Sequence, residues 1–284
     1  MQKTPRILMC PPDFFGIEYE INPWMNRGNA CDHSRAGRQW RELHQTLIDL
    51  GVKVELMEPV SGLPDLVFTA NAGLVYQDRF FGSRFRFGVR QGESPYFERW
   101  ALAHGFQIVS LPADCFFEGA GDALFCGETL FAGYRFRSDV RSHQWVASQI
   151  GVEVLPLELV DPRFYHLDTC FCPINRDEAI YYPGAFDAYG RSVLRDRVRR
   201  LIEVSAEEAV TFSCNAVVVG RHIVLNRAVP KLTAELREAG YIPHPVELTE
   251  FIKSGGSAKC VTLRLDGEDA AEWSWAVAPI SVPA

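Results

Sequence analysis

The 284-residue chain contains no run of about 18 apolar residues, so no apolar helix in it is long enough to span a membrane. The opening stretch MQKTPRILMCPPDFF lacks the long apolar region of a secretory signal, and a cytoplasmic location is expected. No GxGxxG or P-loop phrase opens a helix, which argues against a nucleotide site. An excess of positive charge is missing too. Its 29 Lys and Arg against 36 Asp and Glu leave a net charge of −7, a poor basis for gripping nucleic acid. Local basic clusters such as RDRVRRL (Arg195–Leu201) read as the solvated face of a helix. Low-complexity linkers are absent apart from the short SGGS. A single domain over residues 1–284 is therefore expected, with VAPISVPA as a disordered-looking tail.

What is present is an ordinary globular composition, 47% hydrophobic and 23% charged. Eight cysteines lie scattered at positions 10, 31, 115, 126, 170, 172, 214 and 260. A chain of this length with no secretory signal has no call for a disulfide framework, and most of these thiols read as small buried hydrophobes. Cys260 stands apart, at the end of a glycine and serine turn in KSGGSAKCVTLRL.

A phrase of hairpin, helix and strand recurs along the chain. RILMCPP is strand-like, NPWMNRGNACDHSRAG is a polar loop, and RQWRELHQTLIDLG is an amphipathic helix closed by Gly51. The strand VKVELMEP follows. DLVFTANAGLVYQDRFFGSRF reads as a hairpin through Gln77 and Asp78, before the helix SPYFERWALAHG and the strand FQIVSLP. GDALFCGETLFAGY turns at Gly127 and Glu128. SDVRSHQWVASQIG is a helix with Ser138 as N-cap, and VEVLPLEL is a strand. HLDTCFCPINRDEAIYYP turns near Asn175, and AYGRSVLRDRVRRLIEV reads as helix throughout. The hairpin AVVVGRHIVLNRA, the helix PKLTAELREAG and the strands YIPHPVEL and CVTLRL complete the chain. The unit returns four or five times at a period of roughly 50 residues, which points to radial or stacked architecture.

The informative polar groups sit at the junctions of these units. In YHLDTCFCP, residues two apart on an extended chain share a face, which pairs His166 with Asp168 and Cys170 with Cys172. A capped edge histidine is the plain alternative. A metal set is disfavoured because Cys-x-Cys has no second pair at zinc spacing, and no metal is expected. Glu118 in CFFEGAGDALF, and Asp65 and Asn71 in LPDLVFTANAGL, serve either tight turns or a polar site; Asn22 lies in the aromatic loop NPWM. Together these segments supply a thiol, an imidazole and several carboxylates. A Cys and His pair suits nucleophilic catalysis, and carboxylates suit a guanidinium with its planar fork of N–H donors.

The phrases PDLVFTAN, FEGAGD, YHLD and SGGSAKC, in that order, resemble the guanidino-group-modifying enzymes. These include arginine deiminase, dimethylarginine dimethylaminohydrolase, the arginine dihydrolases and the amidinotransferases. The resemblance implies an α/β fold, the five-bladed propeller (pentein) of pseudo-fivefold ββαβ repeats. It implies no cofactor and a small-molecule substrate, L-arginine or a derivative, with homo-oligomers common. It casts Cys260 as nucleophile, His166 as proton carrier, Glu118 as its orienting carboxylate, and Asp168 and Asp65 as guanidinium ligands. Arg90 and Arg137 are placed like arginines that bind the substrate carboxylate. Asn71, where deiminases and methylarginine hydrolases carry an acid, and the Asn22 loop look like the arginine dihydrolases, which form ornithine, carbon dioxide and two ammonia. Deiminase, dimethylarginine hydrolase, amidinotransferase and a non-catalytic propeller module are the alternatives; the last need not keep Cys260, His166 and Glu118 together.

Overall fold

The computed structural model describes residues 4–227 and 229–267, so the VAPISVPA tail lies outside the described residues. Its strands form five three-stranded sheets. The second contains β3 (Gly73–Tyr76), β4 (Arg79–Gly82) and β5 (Gln107–Val109). The third contains β6 (Ala123–Cys126), β7 (Thr129–Tyr134) and β8 (Val154–Glu158). The fourth contains β9 (Phe171–Pro173), β10 (Glu178–Tyr181) and β11 (Arg200–Glu203), and the fifth β12 (Val217–Val219), β13 (His222–Asn226) and β14 (Ile242–Val246). In each, an antiparallel hairpin is followed by a helix and a third strand parallel to the second.

The first sheet uses both ends of the described chain. β1 (Arg6–Met9) pairs in parallel with β2 (Lys53–Leu56), and β15 (Leu263–Arg264) adds antiparallel to β1 with Leu263 opposite Leu8. The ring of five ββαβ blades is thus closed by a strand that follows Cys260 directly.

The helices form because their apolar residues recur at helical spacing. In His33–Asp49 the residues Ala36, Trp40, Leu43 and Leu47 are buried against the first sheet. This helix begins five residues before the stretch expected from sequence, because the Asp32 carboxylate caps it by accepting from the Arg35 N–H at 2.9 Å. Helix Val140–Ile150 is preceded by Asp139 rather than capped by Ser138, whose hydroxyl donates instead to Asp122. Helix Ala188–Arg197 stops well short of the expected Val204, and Arg200–Glu203 is strand β11. There the ladder to β10 overrides helical periodicity.

The segments ahead of β3 and β9 also depart from the extended reading. Pro64–Val67, Thr69–Ala72 and Leu167–Thr169 are single 3-10 turns, and Gly119–Gly121 is another ahead of β6. Each turns the chain inward before its blade begins.

Candidate active site

These inward turns meet one another. The Asn71 amide lies 3.5 Å from the Glu118 carbonyl, and Glu118 Oε2 is 2.8 Å from His166 Nε2. Asn215 Nδ2 donates to the Asp168 carbonyl at 3.0 Å and to Cys260 Sγ at 3.1 Å. The Cys260 carbonyl then accepts from the Ala70 N–H at 3.1 Å, which closes the circuit. Every blade contributes at least one member, so residues separated by nearly two hundred positions converge on the axis.

A small cavity opens on this circuit, lined by Asn22, Asp65, Asn71, Arg90, Arg137, His166 and Cys260 among others. Cys260, His166 and Glu118 are 3%, 2% and 0% exposed, so their charges act in a medium that screens poorly. Glu118 is braced on every side: Oε2 accepts from Arg137 Nη1 at 3.1 Å, and Oε1 accepts from the Arg86 N–H at 3.2 Å. Burial alone would raise its pKa, but Arg137 and the His166 bond outweigh it and hold the carboxyl well below its usual range. Burial pushes His166 down to about 4 despite Glu118. The imidazole is therefore neutral near pH 7. With Nε2 donating to an ionised carboxylate, Nδ1 keeps a lone pair for accepting protons.

Cys260 faces the opposite bias. Burial, reinforced by Asp168, raises its thiol pKa, and Sγ donates to Asp168 Oδ2 at 3.4 Å. The protein alone keeps the sulfur protonated. Asp65 is also pushed up by burial, against Arg90. Its Oδ2 accepts from Tyr19 Oη at 3.0 Å, while its buried Oδ1 has no hydrogen-bond partner. An unpaired carboxylate oxygen beside the cavity calls for a donor, preferably a cation.

Two expected ligands have other partners. Arg90 makes a fork to Glu93, Nε and Nη2 each at 2.8 Å, and donates from Nη1 to Asn71 Oδ1 at 3.0 Å. Arg137 is taken by Glu118 and by the Ile21 carbonyl, with its guanidinium over the Tyr165 ring. Asn22 uses its amide to hold the covering loop: Nδ2 donates to the Ser254 carbonyl at 3.0 Å, and Oδ1 accepts from the Trp24 N–H at 2.9 Å. Asp168 meets the thiol itself.

Sequence reasoning missed three residues: Glu93, Asp122 and Asn215. Asp122 bridges the two halves of the acid–base pair. It accepts from the Leu167 N–H at 3.1 Å and from Ser138 Oγ at 2.6 Å, and Ser138 Oγ accepts from the Glu118 N–H. A signal for Asn215 existed. Superposing the repeats TANAGLVY, GAGDALF, LDTCFCP, SCNAVVV and AKCVTLRL puts a polar or reactive residue just ahead of each apolar strand.

Comparison with known proteins agrees with this geometry. The profile of the family described as N,N dimethylarginine dimethylhydrolase, eukaryotic, matches residues 18–266. The chain belongs to this guanidino-modifying family. Within it, the chain is 43% identical to N(G),N(G)-dimethylarginine dimethylaminohydrolase of Mycobacterium tuberculosis, covering 93% of this chain and 86% of that one. It is 50% identical to the bifunctional arginine dihydrolase/ornithine cyclodeaminase ArgZ of a Synechocystis species, over 92% of this chain but 37% of the relative. The chain thus spans little more than a third of that relative's length. A crystal structure of the N-terminal domain of ArgZ, a Cys-to-Ser variant bound to substrate, superposes with a TM-score of 0.90 at 48% identity, covering 93% of this chain and 98% of that one. A dimethylarginine dimethylaminohydrolase adduct at 18% identity, TM-score 0.77, shares the propeller fold. Among the described residues no helix is long and apolar enough to cross a membrane, and none of their His, Cys, Asp and Glu side chains form a group of three set to hold a metal.

Proposed function

We propose that this chain hydrolyses the guanidino group of L-arginine through a covalent Cys260 intermediate, forming ornithine, carbon dioxide and two ammonia. The observation that carries the reading is the joining of a buried thiol, a Glu118-paired imidazole and an unpartnered Asp65 oxygen around one small cavity. Residues 1–284 act in this reading as one catalytic unit, supported by the pairing of β15 with β1.

A guanidinium bound between Asp65 and Asp168 neutralises the carboxylate that keeps Cys260 protonated and adds a positive charge beside the sulfur. Both effects favour the thiolate. The thiol proton passes to His166 Nδ1, and Sγ bonds to the central guanidinium carbon. His166 returns that proton to the departing nitrogen as the C–N bond breaks, and ammonia leaves. Water, deprotonated by His166, then attacks the same carbon, and the C–S bond breaks to give the ureido product. A second round on the ureido carbon releases the second ammonia and leaves an N-carboxylated ornithine, whose C–N bond breaks as the nitrogen takes up a proton, giving ornithine and carbon dioxide, so two waters are consumed per arginine. Glu118, fixed by Arg137, stabilises the imidazolium formed in each transfer.

Asn71 is what favours two rounds over one. Its Oδ1 is fixed by Arg90, and Nδ2 has only the long contact to the Glu118 carbonyl. That donor suits the neutral ureido oxygen, whereas an aspartate would prefer the cationic substrate and release the product. In support, an Asn-to-Ser variant of the ArgZ N-terminal domain, 49% identical to this chain, is described as covalently bound to a reaction intermediate. Asn71→Asp should shift the product from ornithine toward citrulline, measured by amino-acid analysis after exhaustive turnover; undiminished ornithine would refute this role. A second reading, hydrolysis of dimethylarginine, is favoured by the family match and by the Mycobacterium tuberculosis relative. Against it stands the neutral Asn71 beside the cavity, with an Nδ2 donor suited to a ureido oxygen.

A further inference from the structure

We infer that Asn215 is a catalytic residue, the donor that holds the Cys260 sulfur and stabilises its thiolate. The inference rests on the reading of Cys260 as nucleophile and adds a residue to it.

The side chain grips Cys260 at two points. Asn215 Oδ1 accepts from the Cys260 N–H at 3.1 Å, and Nδ2 donates to Sγ at 3.1 Å. The same Nδ2 donates to the Asp168 carbonyl at 3.0 Å, so Asn215 also fixes the distance between the sulfur and the carboxylate next to it. The amide orientation follows from these partners, since only the oxygen can accept from Cys260 N–H and only the nitrogen can donate to a carbonyl.

The two neighbours of the sulfur act in opposite senses. The bond from Sγ to Asp168 Oδ2 exists only while the thiol carries its proton; after ionisation, two negative groups would face each other. The bond from Asn215 Nδ2 strengthens on ionisation, because a thiolate is the better acceptor. Asn215 therefore favours the charged form that attacks, and a group that binds the later state more tightly lowers the barrier. It does so without lining the substrate cavity, so its effect belongs to the chemical step rather than to substrate affinity.

Backbone strain at this turn points the same way. The segment leading to Asn215 passes through Phe212 at φ +61, a left-handed conformation that a bulky aromatic residue rarely adopts. The Asn215 N–H bonds to the Phe212 carbonyl at 3.0 Å, and the Phe212 ring packs on Trp24 of the covering loop at 4.9 Å. A strained turn, locked from both sides, delivers one amide to the sulfur.

The test is the pH dependence of Cys260 alkylation by iodoacetamide, followed on the Cys260 peptide by mass spectrometry, in the wild-type chain, Asn215→Ala and Asn215→Asp. Losing a hydrogen bond to a charged group should raise the thiol pKa by about one to two units in both variants. Asn215→Asp keeps the acceptor for the Cys260 N–H, loses the Nδ2 donor to both Sγ and the Asp168 carbonyl and adds a negative charge, so it should shift the profile at least as far as alanine does, and it carries the test if the alanine variant fails to fold. With L-arginine, kcat should fall by about 10–100-fold with KM nearly unchanged. An unaltered alkylation profile in a folded variant overturns the inference. Because alkylation needs no turnover, a shifted profile in a protein inert toward arginine would leave the inference standing while the proposed substrate fell.

Discussion

Cys260 is one of eight free cysteines and is no more exposed than most of the others. Burial also pushes the Cys10 and Cys126 thiols up to about 12. What singles out Cys260 is company: an amide donor, a carboxylate acceptor, and a cavity shared with His166 and Asp65. Replacing Cys260 by serine should lower turnover by about 10⁴-fold or more, with an unchanged circular dichroism spectrum and melting temperature. Retention of a tenth of the activity would remove the covalent mechanism. At this scale the sequence was legible where a short phrase carries the residue, as HLD carries His166 and Asp168. It was illegible where partners are distant. Nothing local to Asn215 tells that it turns toward a sulfur forty-five positions away, whereas Glu93, three positions from Arg90, is a local partner for that guanidinium. The two arginines, which the resemblance casts as ligands of the substrate carboxylate, line the cavity and bond to Glu93 and Glu118.

The element that presents the nucleophile is a turn with no room for side chains. Gly255 has φ +82, and a Cβ on Gly256 would stand 2.5 Å from Phe68 Cε1 and 3.2 Å from Cys260 Cβ. Tyr165 Oη donates to the Gly255 carbonyl at 2.7 Å and holds the turn from the other side. Gly256→Ala should therefore displace Cys260 and lower kcat by about 10–100-fold, with a smaller change in melting temperature; steady-state kinetics set against thermal denaturation separates the two. Helix Val140–Ile150 carries a different liability. Its His143 is buried beside Phe117, and burial pushes its pKa down from 6.5 to about 4, with Asp139 opposing. The folded chain resists a proton that the unfolded chain accepts. The contribution is complete above pH 6.5 and is lost as pH falls from 6.5 to about 4. His143→Leu should flatten the loss of melting temperature over that window; an identical pH profile would show that other groups dominate. Element boundaries were the least legible part of the sequence. β11 hid in a basic, helix-like run, and the turns before β3 and β9 looked extended because their apolar residues continue the strand composition.

Over the whole molecule, the recurrence of hairpin, helix and strand was readable, and the number of blades follows from the closure of β15 on β1. That closure has a functional consequence. Leu263 is fully buried opposite Leu8, three positions after Cys260, so the contact that seals the ring also fixes the nucleophile. Pseudo-fivefold symmetry brings one polar turn per blade to a shared axis, and divergence among the turns makes them a site: an amide, a carboxylate, an imidazole, a second amide and a thiol. The central claim is that this set hydrolyses arginine twice, and product stoichiometry tests it most directly. The purified chain is incubated with L-arginine, and ammonia, ornithine and citrulline are counted. Two ammonia per ornithine, with no accumulating citrulline, is the predicted result; one ammonia per citrulline would contradict it.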